Sequence, residues 1–171
     1  FSGAGGLALG MKHAGFSHSA LVEWNKDACD SLRNNFNETQ VFQTDIRKFD
    51  YRLFEGVDVI SGRPPCQPFS LGGKHRGNMD KRDMFPYAIK GIREIQPKAF
   101  IFENVKGLLR QSFSSYFSYI ILQLTYPDLI KEKDEDWRDH LARLEKIHTK
   151  GNYHGLKYNV VFRLINAANY G

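Results

Sequence analysis

The chain has 171 residues, 42% hydrophobic and 25% charged, which suits one globular core and excludes a low-complexity or fibrous protein. No apolar run approaches the ~20 residues of a bilayer span; the run at Ile120-Ile121-Leu122 is broken by Gln123 and stopped by Pro127. A net charge of +5 favours a polyanionic partner, and two distant cysteines, Cys29 and Cys66, argue against a zinc site or a disulfide framework.

The chain opens on Phe1-Ser2-Gly3-Ala4-Gly5-Gly6, a turn in which glycines let a ligand approach the following helix. Such a turn normally follows a strand, so the chain is expected to be a segment cut short at both ends, without a leader. Leu7, Met11 and Ala14 share one face of a first helix that Gly15 can end. Ala20-Leu21-Val22 reads as a strand closed by Glu23, with Trp24 after it. An acidic residue about twenty positions beyond the glycine turn suits a ribose hydroxyl. Trp24 could stack on an adenine ring, the plain alternative being a core aromatic. Ala28, Leu32 and Phe36 predict a helix over Lys26 to Asn35. Asp45, followed by Ile46, is either an acceptor for an adenine amino group or a cap.

Val57 to Ile60 predicts a second strand, leading into Arg63-Pro64-Pro65-Cys66-Gln67-Pro68-Phe69-Ser70. Three prolines pin a loop that presents the Cys66 thiol off a strand end, as a nucleophile would be placed. Phe85, Ile89, Ile92 and Ile95 predict a helix stopped by Pro97. Ala99 to Phe102 is continuous enough in hydrophobicity for a strand buried on both faces, and Glu103 closes it. In apolar surroundings that carboxyl could hold a proton near neutrality. Residues 111–157 predict a helical excursion, amphipathic from Phe113 to Leu124 and charged from Lys131 to His140. Val160 to Ile165 predicts a last strand. Strands alternating with helices imply an α/β fold, and Glu23, Cys66 and Glu103 all fall where such sheets bind ligands.

Taken together, these segments resemble the cytosine-5 DNA methyltransferase family. The carriers are residues 1–6, Pro65-Cys66-Gln67 with Phe69-Ser70, Glu103-Asn104-Val105, and Leu164 through Gly171, in the family's order. The resemblance implies a doubly wound, Rossmann-like, mostly parallel sheet across a partial catalytic domain, residues 1–171, with the target-recognition domain absent. It implies S-adenosylmethionine as donor, with Phe1, Gly3, Gly5, Glu23, Trp24, Asp45, Ile46, Pro65 and Met84 around it. It implies Cys66 as nucleophile and Glu103 as its partner on a flipped cytosine. Gln67, Ser70, Lys74 and Arg76 would meet double-stranded DNA; no metal and no membrane is expected. A cytoplasmic modification enzyme, a restriction partner and a second polypeptide for target recognition are compatible with it. Alternatives are a tRNA methyltransferase on the same scaffold, a non-catalytic nucleic-acid-binding relative and, more distantly, a cysteine hydrolase using Cys66 and His75. Arg63 departs from the small residue common in relatives, and the Gln-x-Arg-x-Arg segment is missing. The 171-residue segment alone is therefore expected to be inactive or very feeble.

Overall fold

The computed structural model describes residues 1–65 and 83–170; Cys66, Gln67, Ser70, Lys74 and Arg76 lie outside the described residues. The chain divides into two compact units, described residues 1–65 with 83–104, and 105–170. Among the described residues no helix is long and apolar enough to cross a membrane.

The first unit opens with α1 (Gly6–His13), then β1 (Leu21–Glu23), α2 (Lys26–Asn35) and β2 (Val41–Gln43). Two short 3-10 turns, Ile46–Lys48 and Tyr51–Phe54, precede β3 (Val59–Gly62), α3 (Phe85–Ile95) and β4 (Ala99–Phe102). α2 starts where the Asn25 side chain accepts the Ala28 N–H at 2.9 Å. α3 starts with Pro86 in its first turn and ends at Gln96, whose φ of 51° is left-handed. Its repeat buries Phe85, Ala88, Ile89, Ile92 and Ile95 along one face.

The strands form two parallel pairs. β1 lies beside β2, with Val22 opposite Phe42, and β3 lies beside β4, with Ser61 opposite Ile101. Successive side chains of β1 serve different clusters, as strand alternation requires. Leu21 packs with Ala8, Leu32, Phe36 and Val41. Val22 joins Phe42, Ile46, Phe49, Tyr51, Ile60 and Ile95. The second cluster is aromatic at its centre, with Phe42 edge-on to Phe49 at 5.4 Å and to Phe54 at 5.6 Å.

Three expectations change. β2 was not foreseen as a strand. Nearly continuous hydrophobicity suggested burial of β4 on both faces, yet Ala99 and Ile101 are exposed and only Phe100 and Phe102 are half-buried. Residues 160–165 form no strand, and Val161 is 91% exposed, because an apolar run becomes a strand only where it finds a pairing edge.

The second unit contains α4 (Ser114–Thr125) and α5 (Trp137–Lys150), packed on each other. Their shared core holds His140, fully buried, with Nε2 3.0 Å from the Leu129 carbonyl and Nδ1 2.9 Å from the Tyr119 hydroxyl. A carbonyl only accepts, so Nε2 carries the proton and Nδ1 accepts from Tyr119. Nearby, Arg143 grips Glu135 with two bonds of 2.8 Å and holds that carboxyl down to about 2.

Gly5 has φ +97°, and a Cβ there would lie 2.8 Å from both Leu32 Cδ2 and Phe36 Cε2. Gly15 shares a positive φ of +90° but faces open space. Gly15→Ala should cost about 1 kcal/mol of backbone strain, and Gly5→Ala a further ~2 kcal/mol from crowding a packed core. Urea midpoints of the two variants check the difference; equal losses would contradict it.

Burial pushes the His140 imidazole below its ordinary value, against the pull of Glu135. Its contribution to stability is present above the ordinary histidine range near 6.5 and is lost as pH falls toward the lowered folded value. An NMR titration should find a His140 midpoint below the ordinary histidine value near 6.5; a higher one would refute the assignment.

Candidate functional site

Two groups of polar residues sit at the carboxyl ends of the strand pairs. The first is built around Glu23, the last residue of β1. Glu23 Oε2 accepts the Gly3 N–H at 2.9 Å, while Oε1 accepts the Trp24 and Asn25 N–H groups at 2.9 and 3.1 Å. Burial opposes the charge, but the N–H groups of Asn25, Gly3 and Trp24, with the nearby terminal ammonium, hold this carboxyl below the ordinary glutamate range. Gly3 has a positive φ, and the opening turn brings its amide onto the carboxylate. With about four lone-pair directions and three donors, the carboxylate retains capacity for one more donor, such as a ligand hydroxyl. Beside it the Trp24 side chain is 73% exposed, which rules out the core-aromatic alternative and leaves its ring open to stacking.

Asp45 follows β2. Its Oδ1 caps the next turn by accepting the Arg47 N–H at 3.0 Å, and its carboxylate is paired with the Arg47 guanidinium. Those bonds hold the Asp45 carboxyl at about 2. The capping role is thus present. Ile46 is half-buried in the aromatic cluster of Phe49 and Tyr51.

The second group lies where β3 and β4 end. Parallel pairing carries the Glu103 N–H to the Gly62 carbonyl at 3.1 Å, so the residue after β4 and the residue after β3 emerge side by side. Those residues are Glu103 and Arg63, joined by Nε–Oε2 contact at 2.5 Å with side chains 49% and 62% exposed. The expected apolar surrounding of Glu103 is therefore replaced by a guanidinium partner and solvent. Asn104 donates its Nδ2 to the Pro64 carbonyl at 2.9 Å, tying the residues just ahead of Cys66 to the end of β4. Where the chain resumes, the Met84 N–H donates to Pro65 O at 3.1 Å and buried Asp83 accepts the Phe85 N–H at 3.1 Å.

Of the residues singled out from sequence, Phe1, Gly3, Ile46 and Glu103 line one cavity of about 990 Å³. Gly5, Glu23, Trp24, Asp45, Pro65 and Met84 are outside its lining. Pro65 and Met84 are brought together by their backbone bond. Cys66, Gln67, Ser70, Lys74 and Arg76 lie outside the described residues. The sequence did not single out Asn104 for its bond to Pro64; an amide beside a candidate acid was the signal available. The second cysteine, Cys29, is fully buried, and its thiol donates to the Glu23 carbonyl at 3.4 Å. Burial pushes that thiol up, so Cys29 is packing rather than chemistry. Among the described residues no group of three or more His, Cys, Asp or Glu could hold a metal ion.

The chain is similar to known proteins. Residues 1–126 match the family model described as C-5 cytosine-specific DNA methylase. Type II methyltransferase M.NgoMIV of Neisseria gonorrhoeae is 46% identical over 122 residues, covering 71% of this chain and 39% of that protein. Type II methyltransferase M.AquIA of Picosynechococcus is 33% identical over 180 residues, covering 100% of this chain and 64% of that protein. The chain thus spans less than two thirds of either relative. A solved structure of a DNMT2 mutant from Spodoptera frugiperda superposes with a TM-score of 0.55 at 28% identity, covering 73% of this chain and 40% of that one.

The cage around Glu23 yields a test. Glu23→Gln leaves three backbone donors facing one acceptor oxygen, and loses about 2 kcal/mol at neutral pH. Because the folded carboxyl lies below its ordinary value, the contribution is present above about pH 4.3 and is lost as pH falls through the lowered value. Melting curves should show a gap between the two proteins at pH 7 that narrows as pH falls below about 4.3. A gap independent of pH would show that the charge is not what matters.

Proposed function

The chain belongs to the C-5 cytosine-specific DNA methylase family, and on that premise we propose that its protein methylates carbon 5 of cytosine in double-stranded DNA. The observation that carries the proposal is the β3–β4 register. It brings Arg63 and Pro64, the residues shortly ahead of Cys66 in the chain, beside Glu103 and Asn104, which supports a reaction that uses Cys66 and Glu103 together. The fold we propose is the doubly wound, mostly parallel sheet of S-adenosylmethionine-dependent methyltransferases, with the second pair of strands continuing the first. The enzyme would serve DNA modification in the cytoplasm.

S-adenosylmethionine, when bound, supplies an electrophilic methyl group on a sulfonium. The Glu23 carboxylate fits a ribose diol, since its remaining lone pairs accept hydroxyl protons. Trp24 offers a free ring face for the adenine. Asp45, already held as a carboxylate, accepts from the adenine amino group. The turn through Gly3 and Gly5 lets main chain approach the donor closely, and Phe1, Ile46, Pro65 and Met84 border it.

The target carbon is shielded inside a duplex, so the cytosine must swing out of the stack. Cys66 attacks as thiolate, forming a bond to carbon 6; the electron pair of the 5,6 double bond shifts toward carbon 5. Glu103 holds a hydrogen at ring nitrogen 3 and so stabilises the charge delivered to the ring. Carbon 5 takes the methyl group, and the donor's sulfur keeps the bonding pair. Loss of the carbon 5 proton to a base restores the double bond as the bond to Cys66 breaks, returning the thiolate. Arg63 must release Glu103 for this step. Asn104 acts through the Pro64 carbonyl as a positioning residue. Gln67, Ser70, Lys74 and Arg76 follow Cys66 closely, and their donors suit the phosphates and sugar edges that hold DNA in register.

The test uses the full-length protein that contains this chain, a tritiated donor, and DNA and tRNA as alternative acceptors. Methyl transfer to DNA cytosine is expected, with Cys66→Ser lowering kcat on the order of a thousandfold. A 5-fluorocytosine duplex should be trapped covalently by the unaltered protein only. Transfer confined to tRNA, or retained by Cys66→Ser, would overturn the assignment.

A further inference from the structure

We propose that Arg63 is a DNA-contacting residue. Its guanidinium covers Glu103 at rest and passes to a phosphate of the duplex as the flipped base takes its place on Glu103. This role rests on the methyl-transfer reading and adds to it a link between docking of the DNA backbone and exposure of the carboxyl group.

The main chain at Arg63 is held on both sides. Its N–H donates to the Phe1 carbonyl at 3.2 Å. The next residue, Pro64, is fully buried, and its carbonyl accepts Asn104 Nδ2 at 2.9 Å. A proline also restricts the residue ahead of it to extended backbone. Movement is thereby left to the Arg63 side chain, which is 62% exposed. The β3–β4 register and the Asn104–Pro64 bond already join the ends of the two strands. The exposed ion pair is not needed to hold them.

The guanidinium meets Glu103 at its Nε, 2.5 Å from Oε2. A guanidinium is a flat group with five donors on three edges. Contact at Nε uses a side edge and leaves the end edge, Nη1 with Nη2, for a second oxyanion. Glu103 is the group proposed to meet ring nitrogen 3 of the flipped base, so the nucleotide that carries that base comes within reach of Arg63. Its phosphates are the anions that arrive with it. Arginine grips phosphate as it grips carboxylate, by two parallel N–H bonds. The resting pair is weakly held, since both side chains are about half exposed and water competes for each. A phosphate on the end edge shares the positive charge and loosens the pair further. Base and backbone therefore part it from two sides: the base brings donors to Glu103, and the phosphate brings acceptors to Arg63. Such a contact fixes position on the duplex and reads no sequence.

The test uses the full-length protein that contains this chain and a fluorescent duplex with an abasic site in place of the target cytosine, which removes the base contact. Binding is measured across a salt series for the unaltered protein, Arg63→Gln, Glu103→Gln and the double variant. Arg63→Gln should weaken binding and lower the slope of log K against log salt by about one, whereas Arg63→Lys should keep the slope. Glu103→Gln frees the guanidinium and should tighten binding about threefold; the gain should vanish once Arg63 is replaced by Gln. Replacing the phosphates around the abasic site one at a time by uncharged methylphosphonates should mark one whose loss weakens the unaltered protein and leaves Arg63→Gln unaffected. An unchanged salt slope in Arg63→Gln overturns the proposal. So does an equal gain from Glu103→Gln in both backgrounds, which reports only general repulsion between a carboxylate and DNA. Should Arg63→Gln fail to fold, the comparison is closed between Glu103→Gln and the methylphosphonates instead. The gain must disappear on one of those duplexes, and a gain that persists on all of them rejects the contact. Methyl transfer by the unaltered protein to a cytosine duplex separates the two readings: transfer to DNA with an unchanged slope overturns the role of Arg63 alone, and no transfer to DNA overturns both.

Discussion

The hydrogen bond from Glu103 N–H to the Gly62 carbonyl, 3.1 Å long, fixes what two distant stretches of chain can do together. In a parallel pair both strands leave by the same end, so whatever follows β3 and whatever follows β4 become neighbours by register. Forty-one positions separate Gly62 from Glu103, yet Arg63 touches Glu103 and the Pro64 carbonyl is held by Asn104. A shift of one residue would turn Glu103 to the other face of its strand and part it from the cysteine stem. The hydrophobic residues that hold the register, Ile60 and Ile95 in the aromatic cluster, therefore act on the site through alignment.

The opposite constraint governs the Glu23 end. A partly buried carboxylate is costly unless donors surround it, and here the donors are main-chain amides of the glycine turn and of the residues that start α2. Main chain has few ways to rearrange, so the carboxylate is preorganised, with its oxygens set before any ligand arrives. The same arrangement explains why Gly3 must adopt a positive φ, which turns its N–H toward Glu23.

Much of this was legible in the residues. α2 and α3 fall where their apolar repeats put them, with Pro97 marking the end of α3. That Glu23 closes its strand was legible from the apolar run Ala20-Leu21-Val22 ahead of it. β2 was missed because Val41-Phe42-Gln43 is too short and too polar at its flanks to stand out; its partner strand makes it a strand. The run at 160–165 misled in the opposite way, having the pattern without a described partner. Asn104 shows the limit of sequence most clearly. Its acceptor is a carbonyl forty residues away, and a backbone carbonyl has no signature in sequence.

Arg63 was the one departure that sequence could not weigh, since a cation beside the cysteine could help or obstruct. Its placement argues for a reversible role. Exposed ion pairs gain little because water competes for both ends, and this pair is about half exposed on each side. The contrast is Arg143 with Glu135, less exposed, two-pronged, and adjacent to a buried histidine, where the pair is part of the packing. A guanidinium held in solvent can leave Glu103 at small cost when a base with matching donors comes within reach. Under the proposed chemistry Arg63 would hold Glu103 at rest and yield it to the base, which reconciles a bulky cation at this position with the role proposed for its neighbour.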